Sequence, residues 1–200
     1  MDIIKKYKFD KKMAKQRAKR GFSDDMCWGM NYWFLETFPK MIINLRNMKH
    51  GYPELEFEEV ENFSISWVES TLKEINEINK KEGYDEFDIN DSFSRWQLIL
   101  TRIAYCLTQA NEDITEIENE YQIKYLKQTY DIQEDETFMD WWNKRFEKAE
   151  SGYYIMKTND SDKELEEKYF NREKEINEYR NKMKDEAFDL LKKYFWDLWD

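Results

Sequence analysis

The chain has 200 residues, which suits one domain or one domain with an extension, and it carries a net charge of -11. Its 13 Phe, 8 Trp and 13 Tyr argue against a disordered chain, while only 5 Gly and 2 Pro argue against a β-sandwich or barrel. No apolar run approaches the roughly 18 residues of a membrane span, so we expect no membrane partner.

The charge is divided unevenly along the chain. Residues 1–20 contain nine basic and two acidic side chains, a net charge of +7, so the other 180 residues carry -18. This predicts a basic N-terminal arm or helix at 1–20 and an acidic helical domain at 21–200. A solvated helix, a partner-binding arm and a nucleic-acid contact all stay open for the arm, which has no recognisable DNA-binding motif. The arm lacks the apolar segment of a secretory signal, so we expect the cytoplasm.

A central helix is predicted from Asp24 to about Lys49. Ser23 is a good N-cap, and Asp24 and Asp25 sit where the helix dipole favours carboxylates. The apolar residues that follow at steps of three and four are Cys27, Met30, Phe34, Phe38, Met41, Leu45 and Met48. We expect this face to point towards a core and Pro39 to kink the helix.

Apolar spacing predicts further helices before and after the central one. They cover about 3–19, 58–81, 91–109, 115–130, 135–146 and 162–199. Capping-box spacing of Thr115 with Glu118 and of Ser161 with Glu164 supports two of the starts, and Asp135 is expected to cap another. The run 153–156 is either a strand-like connector or part of the core. The predicted fold is all-α: a single-domain helical bundle of about six to seven helices, with a kinked central helix and a long C-terminal helix.

The residue types exclude most catalytic constellations. His50 is the only histidine, which argues against Ser-His-Asp or Cys-His catalysis and against multi-histidine metal sites. The chain has no Gly-rich phosphate loop, dinucleotide fingerprint or C-x-x-C pair. Cys27 and Cys106 fall on apolar helical faces, so we expect two buried thiols and no disulfide. No cofactor is expected.

Acidic pairs on helices leave one catalytic alternative. Glu74 and Glu77 share a helix face, and Glu116 with Glu120, or Asp113 with Glu116, can supply a facing pair. Such carboxylates on paired helices can hold Mg²⁺ for pyrophosphate cleavage, as in all-α nucleotide pyrophosphatases. With 43 Asp and Glu in the chain, such pairs also arise by chance, and a solvated face is the simpler interpretation.

Trp141 and Trp142 are candidates for a binding surface. Adjacent helical residues point about 100° apart, so both side chains cannot face one core. We expect one of them to be exposed or at a junction between elements. Tryptophan is enriched in the hot spots of protein interfaces, which makes this pair a candidate for binding a partner.

Several short motifs resemble a group of small, uncharacterised proteins encoded by tailed bacteriophages. The matching residues are Arg20-Gly21-Phe22-Ser23-Asp24, Trp28, Gly51-Tyr52-Pro53, Trp67, Leu190 and the ending Phe195-Trp196-Asp197-Leu198-Trp199-Asp200. The resemblance implies a phage-infected bacterium as the setting, and it implies no mechanism. Met26 stands where the group has an acidic residue, which argues against a metal or catalytic role for this turn.

The leading hypothesis is a non-enzymatic phage accessory protein that binds a host or defence macromolecule in the cytoplasm of the infected bacterium. It rests on the absence of a catalytic constellation, the divided charge and the surplus of aromatics. The candidate binding residues in the first motif are Arg20, Asp24, Asp25 and Trp28. Their structural alternative is a helix start on which the aromatic tail from Phe195 docks.

Two other hypotheses are kept. One is the Mg²⁺-dependent nucleotide pyrophosphohydrolase that uses the acidic pairs. The other is a virion or assembly component, for which a phage protein would be the partner. The sequence does not specify the oligomeric state.

Overall fold

The computed structural model describes residues 3–48, 51–83, 86–130, 138–156 and 162–198. Within these ranges the chain is mainly helical. The helices are α1 (Ile3–Arg20), α2 (Asp24–Trp28), α3 (Met30–Met48), α4 (Ile65–Glu82), α5 (Ser92–Ala110), α6 (Gln122–Tyr130), α7 (Phe138–Arg145) and α8 (Lys163–Lys193). The predicted all-α class with a long C-terminal helix is confirmed. The minor elements are two 3₁₀ turns, Phe57–Glu59 and Phe195–Asp197, and strands β1 (Phe146–Lys148) and β2 (Tyr154–Met156).

The chain forms two compact units, and the boundary between them falls within α8. The first unit comprises Met1–Thr115 and Lys182–Asp200, and the second comprises Glu116–Asn181. The basic segment forms α1, in which Met13 is only 2% exposed while the lysines around it are exposed.

Helix α5 is the core of the first unit. Asp91 caps it by accepting hydrogen bonds from the backbone nitrogen of Ser94 at 2.8 Å and from its hydroxyl at 2.7 Å. The fully buried apolar side chains of α5 are Leu98, Ile99, Leu100, Ile103 and Leu107. Each contributes about 1.5–3 kcal/mol by leaving water. The predicted start and apolar face of this helix are therefore correct, and α3 packs against it.

A buried arginine fixes the loop before α4 to the start of α5. Arg95 is 8% exposed, and its Nε and Nη2 donate to the carbonyl of Leu55 at 3.1 and 2.7 Å. Its Nη1 donates to the carbonyl of Ile89 at 2.8 Å. Together with the Ser92 hydroxyl, which donates to the Leu55 carbonyl at 3.1 Å, the guanidinium supplies hydrogen bonds that these loop carbonyls lose on burial.

An ion pair inside an aromatic cluster joins α5 to α8. Arg102 donates from Nε and Nη2 to the two carboxylate oxygens of Glu186, at 2.5 and 2.9 Å. The guanidinium carbon lies 5.7 Å from the ring centre of Phe63, 5.0 Å from that of Trp67 and 5.5 Å from that of Tyr105. Burial lowers the pKa of Arg102, and the hydrogen bonds that Arg102 donates to Glu186, together with the nearby negative charge, more than offset this, so its pKa is raised.

The predicted central helix is divided in two. It is interrupted at Gly29, where α2 ends and the backbone leaves helical geometry, with φ -117° and ψ 47°. Glycine has the greatest conformational freedom in the chain, which lowers the cost of a break there. Pro39 lies within α3 and is buried, so the proline does not end the helix.

Two other predicted helix starts are wrong. Helix α4 begins at Ile65, seven residues after the predicted start, because 57–59 form a separate 3₁₀ turn. The predicted cap at Thr115 begins no helix, and α6 starts at Gln122. Asn119 explains the late start: its Oδ1 accepts from the nitrogen of Tyr121 at 3.0 Å, and its Nδ2 donates to the carbonyl of Tyr169 at 3.1 Å. The predicted caps at Asp135 and Ser161 lie outside the described residues.

In the second unit, α6 packs on the first part of α8 through aromatic rings. Tyr125 stacks on Tyr169 with ring centres 4.2 Å apart and also contacts Phe170. Strands β1 and β2 form an antiparallel hairpin in which Phe146 pairs with Met156. The strand-like reading of 153–156 is therefore correct. The core reading is wrong, since Tyr153, Tyr154 and Ile155 are exposed.

We predict that Glu186→Gln destabilises the first unit, because it removes the charge that faces the Arg102 guanidinium. Breaking a buried pair costs about 3–5 kcal/mol, and we expect about 2–3 kcal/mol because the Glu186 side chain is 28% exposed. Urea unfolding measures the change. The matched control is Glu164→Gln, which breaks an exposed pair with Lys168 on the same helix and should cost under about 0.5 kcal/mol. Equal losses in the two variants would contradict this role of Glu186.

Candidate functional site

Arg20 and Asp24, two of the predicted binding residues, are paired with each other. An Arg20 Nη2–Asp24 Oδ1 ion pair joins them, and the Arg20 guanidinium lies 4.6 Å from the ring centre of Phe22. Gln16 donates to Asp24 Oδ2 at 2.7 Å and accepts from the Asp24 backbone nitrogen at 2.9 Å. The hydrogen bonds from Arg20 and then Gln16 hold the pKa of Asp24 below its usual value. This pair therefore fastens the end of α1 to the start of α2.

Ser23 and Asp25 also connect the end of α1 to the start of α2. Ser23 occupies the N-cap position of α2, as predicted, but the predicted hydrogen bond from the helix backbone to its hydroxyl is absent. Its fully buried hydroxyl instead accepts from Arg17 at 3.0 Å and donates to Asp25. The hydrogen bond from Ser23 lowers the pKa of Asp25, and Arg17 adds a charge contact at 3.9 Å. The carboxylates at the start of α2 thus have partners within the chain.

Trp28 lies outside this network and is 93% exposed. The predicted docking of the C-terminal aromatics on it is wrong for the described ones, since Phe195 lines a groove along the second half of α3. Trp199 and Asp200 lie outside the described residues. Trp28 stays a binding candidate on its exposure alone.

The tryptophan pair of α7 is half-buried at both positions. Trp142 stacks on Phe146 with ring centres 3.9 Å apart, and Trp141 meets the same ring edge-on at 5.6 Å. The expectation that one of them lies at a junction between elements is therefore correct, because both rings pack where α7 meets the hairpin, and neither is exposed. Arg145 lies over Trp141 at 5.8 Å.

The geometry gives no support to the hypothesis of a Mg²⁺-dependent pyrophosphohydrolase that uses the acidic pairs. Glu74 and Glu77 are exposed on α4. Glu116 and Glu120 belong to the second unit, where Glu120 pairs with Arg172 at 3.2 Å. Among the described residues, no three Asp, Glu, His or Cys side chains are placed to hold one metal ion.

Cysteine chemistry is restricted at one of the two thiols. Cys106 is fully buried, and burial raises its pKa to about 12, which removes the thiolate at neutral pH. Cys27 was predicted to be buried, and that prediction is wrong, because the break at Gly29 leaves α2 with no buried residue. His50 lies outside the described residues.

An apolar groove of about 640 Å³ lies between α3 and residues 195–198. Its apolar wall residues are Phe38, Met41, Ile42, Leu45, Met48, Phe195 and Leu198. Spacing placed the α3 residues on one face but assigned that face to the core. The structure buries only Ile42 of the groove's α3 wall and leaves Met41 54% and Met48 47% exposed.

A buried tyrosine positions the other wall of the groove. Tyr194 is 4% exposed, packs edge-on against Trp96 at 5.6 Å, and donates its hydroxyl proton to Glu59 at 2.6 Å. Lys193 pairs with the same carboxylate. The nitrogen of Asp197 donates to the Tyr194 carbonyl at 3.0 Å, which closes the turn that presents Phe195 to the groove.

Comparisons of the chain with protein-family models, with curated proteins and with solved structures give no match. Among the described helices, none is both long enough and apolar enough to cross a membrane.

We predict that the groove wall is acid-sensitive through Glu59. Hydrogen bonds from Lys193 and then Tyr194 lower the pKa of Glu59, so its contribution is present above the unfolded value of about 4.3 and is lost as the pH falls through the folded pKa. Glu59→Gln should lower the free energy of unfolding by about 1–2 kcal/mol at pH 7. The difference from the parent should shrink below about pH 4.

Urea titrations at several pH values measure that difference, and the exposed neighbour Glu58→Gln is the control. Comparison with the parent is needed because Asp24 and Asp25 also have lowered pKa values and titrate in the same range. A Glu59→Gln effect that stays constant from pH 7 to pH 3 would contradict the assignment.

Proposed function

We propose that this chain is a non-enzymatic binding protein whose groove between α3 and residues 195–198 holds an amphipathic helix of a protein partner. The observation that carries the proposal is an open apolar groove whose walls are fixed from within the first unit. Binding of an amphipathic helix in an apolar groove is a common mode of peptide recognition.

The dimensions of the groove suit a short helix. Its α3 wall extends from Phe38 to Met48, which is about 15 Å at 1.5 Å per residue. That length matches about three turns of a partner helix. The volume of about 640 Å³ leaves room for several large apolar side chains but encloses none of them.

The side chains of the groove suit a protein partner. Met41 and Met48 are unbranched and adapt their shape to the surface that they contact. Trp196 is 81% exposed beside Phe195, with which it forms an edge-on pair at 5.2 Å. Exposed tryptophan next to an apolar groove has the composition of an interface hot spot.

One charge at the groove selects the chemistry of the partner. Lys40 lines the groove with its side chain 72% exposed, and its ion pair with Glu36 is long, at 3.6 Å. An acidic residue on the polar edge of the partner helix would gain a second contact there. We therefore expect an amphipathic helix with apolar residues at steps of three and four and at least one Asp or Glu beside them.

The phage setting remains a proposal that rests on the sequence resemblance. In that setting the partner is a host or defence protein of the infected bacterium. A role as a virion component stays an alternative, as does nucleic-acid contact through residues 1–20, and no described contact favours either. The pyrophosphohydrolase alternative would need the four carboxylates Glu74, Glu77, Glu116 and Glu120 to act together.

We predict that a photo-crosslinking amino acid at position 41 captures a partner through a defined helical segment. The same amino acid at Ile65, which is 76% exposed outside the groove, is the matched control. Mass spectrometry identifies the crosslinked segment, and a synthetic peptide of that segment is then titrated against the purified protein.

Phe195→Ala combined with Met41→Ala should weaken the peptide at least tenfold, about 1.4 kcal/mol or more. Phe170→Ala, at an exposed ring of the second unit, should leave the affinity unchanged. A crosslink from position 41 to a second copy of the chain, or a peptide that binds the double variant equally well, would overturn the proposal.

A further inference from the structure

A second, smaller cavity lies in the first unit at the junction of α3, α4 and α5. It has a volume of about 170 Å³, and its lining includes Arg46 of α3 and Gln97 of α5. Three apolar side chains, those of Ile75, Ile78 and Phe87, and the two polar residues Asn47 and Asn79 complete the lining. It shares no lining residue with the groove, so nothing about it depends on the proposed function.

Arg46 brings a half-buried positive charge to this cavity. Its Nη1 donates to the hydroxyl of Thr101 at 3.1 Å, and its Nε and Nη2 donate to Oδ1 of Asn47 at 3.2 and 3.1 Å. A guanidinium has five N–H donors, so two remain after these bonds. Within the described part of the chain no carboxylate forms an ion pair with Arg46. Burial lowers its pKa, and the charge of Glu74 opposes that shift without a hydrogen bond.

Gln97 brings a buried amide without a partner. It is 3% exposed, and its backbone carbonyl accepts from the Thr101 hydroxyl at 2.7 Å. Among the described residues its side-chain amide makes no hydrogen bond. The amide therefore has hydrogen-bonding capacity that a polar occupant of the cavity can use.

The aromatic wall is held in place by a separate contact. Asn76 accepts from the backbone nitrogen of Phe87 at 2.6 Å and donates to its carbonyl at 3.2 Å. The Phe87 ring also meets Phe93 edge-on at 5.3 Å. The aromatic wall is thus pre-organised, which lowers the entropy cost of binding.

We propose that this cavity binds a small organic carboxylate. Its carboxylate accepts hydrogen bonds from Arg46 and from the amide of Gln97, and its apolar part lies against Ile75, Ile78 and Phe87. Guanidinium groups bind carboxylates in a bidentate geometry that suits two remaining donors.

Size and charge restrict the ligand class further. The volume equals that of about five or six liquid waters, which admits a single ring or a short branched chain. Phosphate is disfavoured because the cavity has one cation and three apolar walls, and because the charge of Glu74 repels a dianion more strongly than a monoanion.

Benzoate is the probe that tests this site, with benzamide as its neutral isostere and inorganic phosphate as the anion control. We predict that benzoate moves the side-chain amide resonance of Gln97 in a saturable NMR titration. Benzamide should bind at least tenfold more weakly, because it cannot accept two charge-assisted hydrogen bonds from the guanidinium. These comparisons use the unmodified chain, so they do not depend on the folding of a variant.

Arg46→Met should weaken benzoate at least tenfold, while Lys73→Met, at an exposed position on α4, should leave its affinity unchanged. Equal affinities for benzoate and benzamide would overturn the proposal, as would the absence of any shift at Gln97. Phosphate binding as tight as benzoate binding would show a general anion site and would also overturn it.

Discussion

The fold of the first unit depends on one ion pair, Arg102 with Glu186. It is the point at which α5, the most buried helix, is joined to α8. The pair is surrounded by aromatic rings of α4 and α5, which shield it from solvent and strengthen it relative to a surface pair. Because α8 leads directly to Tyr194, this pair also determines where residues 195–198 lie. The geometry of the groove therefore depends on the Arg102–Glu186 ion pair, whose residues do not line the groove.

The sequence predicted best those elements whose burial follows from local spacing. Helix α5 is the clearest case, because Asp91 caps it and its apolar residues recur at steps of three and four. The predicted start of α6 was wrong because Asn119 makes hydrogen bonds to α8, fifty and more residues away. A capping box is a local signal, and long-range hydrogen bonds outweighed it. The prediction of an uninterrupted central helix was wrong for a related reason. The apolar residues keep their helical spacing across Gly29, although the backbone leaves helical geometry there.

The residues of the candidate site were predicted only in part, and one physical reason explains the errors. Spacing shows which residues share a face, but it does not show what covers that face. Met41 and Met48 were assigned to the core, whereas the chain covers them only partly. Arg20 and Asp24 were considered for binding, whereas they satisfy each other. Side chains that partner within a turn are recognisable only when the turn geometry is known.

The two concave sites are built against one rigid helix, and that rigidity matters for binding. One face of α3 packs on α5, and Phe34 stacks on Phe188 of α8 at 5.8 Å. The backbone of α3 is thereby fixed before any ligand arrives, so binding does not carry the additional entropy cost of ordering this backbone. At the groove the contacting side chains are the flexible methionines, which favour adaptable recognition. At the cavity they are the guanidinium of Arg46, already hydrogen-bonded to Thr101 and Asn47, and the amide of Gln97, which favours recognition of one functional group.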